Sequence, residues 1–144
     1  MDIRIAAYAV ITDGSRILLA HWNEHGRSGW TLPGGGVEGI EHPTETVVRE
    51  AYEETGYDIQ VDELLGVDTM IVAPDQRQNS ATPLYALRII YTARILGGEL
   101  RNEIGGSSDE ARWVEIDELS SLKRVSLVDI ALRMFTERPA IGRV

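Results

Sequence analysis

The sequence contains no cysteine, a single phenylalanine, and 14 lysine and arginine residues against 23 aspartate and glutamate residues. The absence of cysteine excludes disulfide bonds, thiolate zinc sites and a cysteine nucleophile, and it is compatible with a reducing compartment. No stretch approaches the roughly 18 consecutive apolar residues that a membrane-spanning helix needs. The N-terminal segment MDIRIAAYAVITDG lacks the pattern of a signal peptide, so we expect a cytoplasmic protein.

The formal net charge of −9 limits the partners that the protein can bind. Such acidity disfavours binding to a nucleic-acid polymer, whose backbone attracts clustered lysine and arginine. It does not exclude a small substrate that carries phosphate, because a divalent cation between protein and phosphate neutralises both. The length of 144 residues predicts one domain, residues 1–144.

Runs of β-branched and aromatic residues predict five strands. Ile3–Ile11 and Arg16–Ala20 flank an Asp13-Gly14 turn and form a hairpin. The other predicted strands cover residues 59–72, with a break near Gly66, and residues 83–96 and 111–116. Residues 117–122 are predicted as a helical turn, residues 127–138 as an amphipathic helix, and residues 21–28 and 73–82 as polar loops. The coarse interpretation is one α+β domain.

A central helix is predicted between Pro43, which suits a first helical turn, and Gly56, which suits a left-handed end. An advance of about 100° per residue divides this helix into two arcs. The predicted buried arc contains Val47, Val48, Ala51, Tyr52 and Thr55, and the opposite arc contains Glu50, Glu53 and Glu54. Three glutamates on one arc indicate either a solvated acidic face or a site for a hard cation.

The run Gly34-Gly35-Gly36 precedes this helix and also has two interpretations. Glycine accepts backbone conformations that other residues avoid, so the run fits a turn that leads into the helix. Alternatively, the missing side chains let the backbone approach a metal ion or a phosphate closely. The position of the run just before a helix rich in carboxylates favours the second interpretation.

The spacing of these residues resembles a known motif. Gly35 is followed after five residues by Glu41, and after seven more by the segment Arg49-Glu50-Ala51-Tyr52-Glu53-Glu54-Thr55-Gly56-Tyr57. This pattern resembles the Nudix box, G-x5-E-x7-R-E-U-x-E-E-x-G-U, where U is a bulky aliphatic residue. Ala51 and Tyr57 depart from it, at positions that make apolar contacts. Flanking segments also resemble the family: Trp30–Pro33, Trp113-Val114 and Glu118-Leu119.

The resemblance implies an α/β fold, an α/β/α sandwich with a central mixed β-sheet in which the box forms a loop–helix–loop. It implies hydrolysis of a nucleoside diphosphate linked to another moiety, with Mg²⁺ or Mn²⁺ as cofactor. Glu50, Glu53 and Glu54 would bind the metal, with help from the Gly34 carbonyl. Homodimers are frequent in the family.

The same resemblance implies roles for the other box residues. Arg49 would orient the catalytic glutamate, and Gly35, Glu41 and Gly56 would support the box. A glutamate downstream of the box would complete the site as a metal ligand and catalytic residue. Glu110 is the candidate and Asp109 the competing choice. Either Glu53 or Glu110 would be the general base.

Two other functions compete with hydrolysis. One is a catalytically silent Nudix-fold module that senses a nucleotide or binds a protein, although such a module does not need a complete set of glutamates. The other is an acidic Ca²⁺-binding protein, for which the sequence lacks an EF-hand loop. Trp22 and Trp30 are predicted either to stack on a nucleobase or to pack in the core. The sequence does not select among nucleoside triphosphates, nucleotide sugars and ADP-ribose.

Overall fold

A computed structural model describes all 144 residues, which form eight strands and two α-helices. The strands are β1 (Asp2–Val10), β2 (Thr12–Asp13), β3 (Arg16–Glu24), β4 (Arg27–Thr31), β5 (Gly34–Gly36), β6 (Tyr57–Val72), β7 (Leu84–Gly98) and β8 (Ser108–Glu115). The helices are α1 (Pro43–Thr55) and α2 (Ser126–Glu137), and short 3₁₀ turns cover Pro74–Gln76 and Ile116–Ser121. Neither α-helix combines the length and apolar character needed to cross a membrane.

The strands form two four-stranded sheets. The first has the order β5-β1-β7-β6 and is mixed, because β1 runs parallel to β7 while the other pairs are antiparallel. The second is antiparallel and is built around β3, which pairs with β2, β4 and β8. The topology therefore confirms the predicted α/β architecture with a mixed sheet.

Successive side chains of a strand point to opposite faces of the sheet, so the core consists of two clusters, one beside each helix. In β1, Ala7 and Ala9 pack with Val47 and Ala51 of α1. The intervening β1 residues pack in the other cluster, which contains the buried face of α2: Leu127, Val128, Ala131 and Met134. The strands therefore lie between two helices, as the predicted α/β/α sandwich requires.

Two segments predicted as irregular are strands. Residues 21–28 form a β-hairpin rather than a polar loop, with His25 and Gly26 both at positive φ in its turn. This conformation matches the right-handed twist of the flanking strands. The glycines 34–36 form β5 and pair with β1 instead of making a turn. The strand predicted to break near Gly66 is continuous, with bulges that absorb the irregularity.

Helix α1 has the predicted bounds but a different buried face. It begins at Pro43 and ends at Gly56, whose φ of 82° is left-handed and whose N–H donates to the Tyr52 carbonyl. Val48 and Tyr52, predicted as buried, are 39% and 48% exposed. Thr46 and Glu54 are buried in their place. The prediction placed Glu54 on the exposed arc with Glu50 and Glu53, whereas Glu54 turns inward and accepts a hydrogen bond from the Gly34 backbone N–H.

We predict that Gly66→Ala destabilises the fold. A Cβ at Gly66 would lie 2.3 Å from the Gly142 carbonyl oxygen, which accepts a hydrogen bond from Val67 N–H. Relief of this overlap requires the backbone to move, and overpacking of this kind costs about 1–3 kcal/mol. Urea unfolding measures the change. Gly97→Ala on β7 is the control, because a Cβ there meets nothing within 4 Å, and equal stability of the two variants would contradict the prediction.

Candidate active site

The glycine strand β5 lies against the acidic side of α1 and lets the helical carboxylates reach its backbone. Gly34 N–H donates to Glu54 Oε1 at 2.8 Å. A Cβ at Gly35 would lie 2.8 Å from a Glu50 carboxylate oxygen, and a Cβ at Gly34 would lie 2.2 Å from the Ala7 carbonyl oxygen. Gly34 also has a φ of 147°, which side chains rarely permit. Glycine is therefore required where the strand meets the helix.

The guanidinium of Arg49 links this strand, the following loop and the helix. Its Nη2 and Nε donate to the two oxygens of Glu41 at 2.8 and 3.1 Å, a bidentate pair. Its Nη1 lies 3.0 Å from Glu50 Oε1 and 3.4 Å from Glu53 Oε2, and its Nη2 reaches the Gly36 carbonyl oxygen at 3.3 Å. Arg49 thus places positive charge between carboxylates that would otherwise repel one another.

Two of the box glutamates are partly or wholly removed from water. Burial raises the pKa of Glu54 well above its usual range, against the opposing hydrogen bond from Gly34 N–H. Burial also raises the pKa of Glu50, while Arg49 lowers it. The negative charge of Glu53 adds to both increases. Buried carboxylates in mutual repulsion favour an added cation.

Glu103 belongs to this group, although the sequence did not single it out. It lies in the loop before β8 and accepts a hydrogen bond from Ser108 N–H. Burial and the charge of Glu53 raise the pKa of Glu103, and the charge of Glu103 in turn raises the pKa values of Glu50 and Glu54. No local sequence pattern identifies Glu103, because its position depends on how the loop before β8 folds.

Glu110 and Asp109, the predicted downstream carboxylates, have other partners. Glu110 Oε2 accepts from Arg112 Nη2 and Nε at 2.8 and 3.0 Å, and Glu110 is not among the charges that perturb the box glutamates. Asp109 accepts from Asn23 at 2.9 Å and lies 2.7 Å from the His21 ring, and these contacts lower its pKa. The charge of Glu103, rather than that of Glu110, thus acts on the box glutamates, and the catalytic and metal-binding role expected for Glu110 stays a prediction.

The oxygen donors near this site suit a hard divalent cation. They are carboxylate oxygens and the backbone carbonyl of a glycine, which has no side chain to block a bound ion. In the structure, no three acidic or histidine side chains lie close enough together to hold a metal ion. Arg49 occupies the space between Glu50 and Glu53. The chemistry of the donors fits Mg²⁺ or Mn²⁺, and binding would require Glu53, whose side chain is 48% exposed, to move away from Arg49.

A cavity of about 460 Å³ opens beside these carboxylates. Glu50, Glu54 and the three glycines of β5 form one part of its lining. The remainder includes Trp22 from β3, Arg88 from β7 and the first residues of α2. Trp22 therefore faces the cavity, whereas Trp30 is a member of the core cluster beside α2. The size suits a nucleotide-like small molecule.

The chain belongs to the Nudix family: the family model described as the NUDIX domain matches residues 2–133. Among solved structures, a NUDIX hydrolase from Nitrosomonas europaea superposes with a TM-score of 0.80 at 20% identity, covering 99% of this chain and 92% of that one. A MutT NUDIX hydrolase from Burkholderia pseudomallei gives 0.75 at 26% identity, covering 93% and 98%. These similarities confirm the predicted family and fold.

Curated relatives are similar at about one third identity. An ADP-ribose pyrophosphatase from Methanocaldococcus jannaschii is 32% identical, over 85% of this chain and 66% of its own length. A MutT-like protein from Streptomyces ambofaciens is 33% identical, over 83% and 67%. A putative nudix hydrolase from Caenorhabditis elegans is 34% identical, over 88% of this chain. The match spans only 33% of that relative's own length.

We predict that Glu41→Gln makes stability less dependent on pH in acid. The hydrogen bonds from Arg49 lower the folded-state pKa of Glu41 from 4.5 to about 2, so between these values the unfolded chain binds more protons. This contribution to stability is complete above pH 4.5 and is lost as the pH falls towards 2.

Urea unfolding between pH 2 and pH 6 measures this effect for Glu41→Gln, with Glu137→Gln as the control. Glu137 pairs with Arg133 on the exposed side of α2 and lies outside the site. The difference in unfolding free energy between wild type and Glu41→Gln should shrink as the pH falls. A difference that is constant with pH would contradict the role of Arg49 as the partner of Glu41.

Proposed function

We propose that the protein hydrolyses a nucleoside diphosphate linked to another moiety, in a metal-dependent reaction in which water substitutes at phosphorus. The observation that carries the proposal is the pair Glu50 and Glu54 on the wall of a cavity large enough for a nucleotide, where Glu54 is buried and the charges of Glu53 and Glu103 raise the pKa values of both. Carboxylates held together in this way are unfavourable in isolation and are stabilised by a divalent cation.

The names of two relatives support this class of substrate. One is an ADP-ribose pyrophosphatase and another is a CMP-5'-(N-acetyl-N-hydroxy-3-aminopropyl)phosphonate hydrolase, which is 34% identical over 95% of this chain and 61% of its own length. Both names describe a nucleotide joined to a further group. A small substrate of this class also agrees with the acidic surface, which disfavours nucleic-acid polymers.

Glu50, Glu53, Glu54 and Glu103, with the Gly34 carbonyl, are the groups that would hold Mg²⁺ or Mn²⁺. A bound divalent ion would lower the pKa of a water molecule and neutralise charge on the phosphate oxygens. We assign the downstream carboxylate role to Glu103 in place of Glu110.

The remaining residues of the box position the reactive groups. Arg49, fixed by its bidentate pair with Glu41, holds Glu50 and Glu53 in orientation. Glu53 and Glu103 are the candidates for the general base that takes the proton of the attacking water. Glu53 is the more mobile choice, because its only hydrogen bonds are the long ones from Arg49 at 3.4 and 3.5 Å.

We predict metal-dependent cleavage by the wild-type protein of at least one member of a nucleotide panel. The panel contains nucleoside triphosphates, nucleotide sugars, ADP-ribose and dinucleoside polyphosphates, each tested with Mg²⁺, with Mn²⁺ and with EDTA. Phosphorus NMR in H₂¹⁸O identifies the products and the phosphorus that water attacks. Tight binding without turnover across the panel would contradict hydrolysis and indicate a nucleotide-sensing module.

We predict that Glu103→Gln and Glu110→Gln differ strongly in activity. Glu103→Gln removes a carboxylate from the charged group and should lower kcat by roughly 100-fold or more, as loss of a general base or a metal ligand does. Glu110→Gln removes a partner of Arg112 and should leave kcat near that of wild type. Steady-state kinetics on the best substrate of the panel compares them. The opposite order would restore Glu110 to the site and remove Glu103.

A further inference from the structure

A buried ion pair lies beside the cavity, and its arginine lines it. Arg88 on β7 and Asp68 on β6 face each other in the strand register, and Arg88 Nε and Nη2 both donate to Asp68 Oδ2, the Nε bond at 3.0 Å. The side chain of Arg88 is 9% exposed and that of Asp68 is 17% exposed. Arg88 lines the same cavity as Glu50 and Glu54. Stabilisation of the fold does not by itself explain a buried ion pair, because apolar side chains of similar volume often stabilise a protein equally well.

The pair leaves one side of the guanidinium free. Asp68 occupies the side formed by Nε and Nη2, whereas Nη1 donates to no protein atom. Only one buried side-chain nitrogen or oxygen atom lacks a hydrogen-bond partner, and it is Ser108 Oγ. Because Nη1 has no partner either, it is not a fully buried atom. Nη1 is therefore accessible, and the cavity is the space that Arg88 borders.

The free side of Arg88 has a defined chemical preference. Nη1 and the second N–H of Nη2 form a planar fork of donors, which matches two adjacent hydrogen-bond acceptors. The contacts with Asp68 Oδ2 fix the plane of the fork. The fork therefore selects by geometry, as an arginine does when it binds two acceptors on the edge of a base.

Two further residues of the cavity lining also indicate a ligand. Ser108, 3% exposed, is part of this lining, and its Oγ has no hydrogen-bond partner. Trp22, paired with Ser108 in the strand register, lines it too and supplies an aromatic surface. A buried hydroxyl without a partner costs free energy until a bound molecule satisfies it.

We propose that Arg88, oriented by Asp68, determines substrate specificity by binding a part of the substrate, outside the scissile diphosphate, that presents two adjacent hydrogen-bond acceptors. This inference rests on the proposed hydrolysis of a nucleoside diphosphate derivative. Two groups have the required chemistry: the O6/N7 edge of a 6-oxopurine, and the two oxygens of a carboxylate or phosphate on the linked moiety.

The test uses substrate pairs that differ in one acceptor group. GDP-mannose is compared with ADP-mannose and with 7-deaza-GDP-mannose, which lacks the N7 acceptor, and UDP-glucuronate is compared with UDP-glucose. The wild type should prefer the member with two acceptors in at least one series, by roughly 5- to 100-fold in kcat/KM, the discrimination of a bidentate arginine contact. The first series identifies an oxopurine edge and the second an acidic group.

Variants connect this preference to Arg88. Arg88→Lys keeps the charge beside Asp68 but loses the fork, and Arg88→Met combined with Asp68→Leu replaces the ion pair with apolar side chains of similar size. Both should abolish the preference, mainly through KM, because the proposed contact is with a part of the substrate outside the reacting diphosphate. Arg94→Gln is the matched control: Arg94 pairs with Asp62 across the same two strands, but it is 61% exposed and does not line the cavity.

Calorimetric binding of the same compounds in EDTA separates this inference from the proposed function. If no compound is hydrolysed but binding shows the preference and loses it in Arg88→Lys, the specificity role stands and the hydrolytic function fails. Equal binding and turnover within both series by the wild type would overturn the role of Arg88. A preference that survives in folded Arg88→Lys and in the double variant would also overturn it.

Discussion

The contacts of the Arg49 guanidinium are the constraint on which the site depends. Three glutamates within two turns of α1 repel one another, by roughly 0.2–0.5 kcal/mol for each pair three or four residues apart. Arg49 lies between two of them and is itself fixed by Glu41, which precedes the helix. The arginine therefore sets the directions of the Glu50 and Glu53 carboxylates in the absence of a metal ion.

The glycine strand provides the second half of the arrangement. Because β5 has no side chains, Glu54 can be buried against a backbone N–H and Glu50 can approach the strand closely. The pairing of β5 with β1 connects this contact to the core of the mixed sheet. Helix, strand and carboxylates are thus held as one unit beside the cavity. This arrangement buries the carboxyl groups of Glu50 and Glu54, and burial raises their pKa values. A bound cation would compensate their negative charge.

Local pattern was sufficient to predict the bounds of α1 and the box residues, because spacing along one helix fixes which side chains lie together. The same reasoning failed where position depends on distant contacts. Glu103 joins the site only because the loop before β8 folds back towards α1, whereas Glu110 was the closer match to the family pattern. Tyr52 was expected to be buried, yet it is exposed with the Arg101 guanidinium 4.9 Å above its ring.

The central claim is that Glu50, Glu53 and Glu54 contribute to a divalent cation site, and Mn²⁺ binding followed by electron paramagnetic resonance tests it most directly. Wild-type protein should bind Mn²⁺, and Mg²⁺ should compete for it. The double variant Glu50→Gln/Glu54→Gln should lose this binding while it remains folded, since it removes two donors and much of the local negative charge. Unchanged Mn²⁺ affinity in that variant would contradict the account.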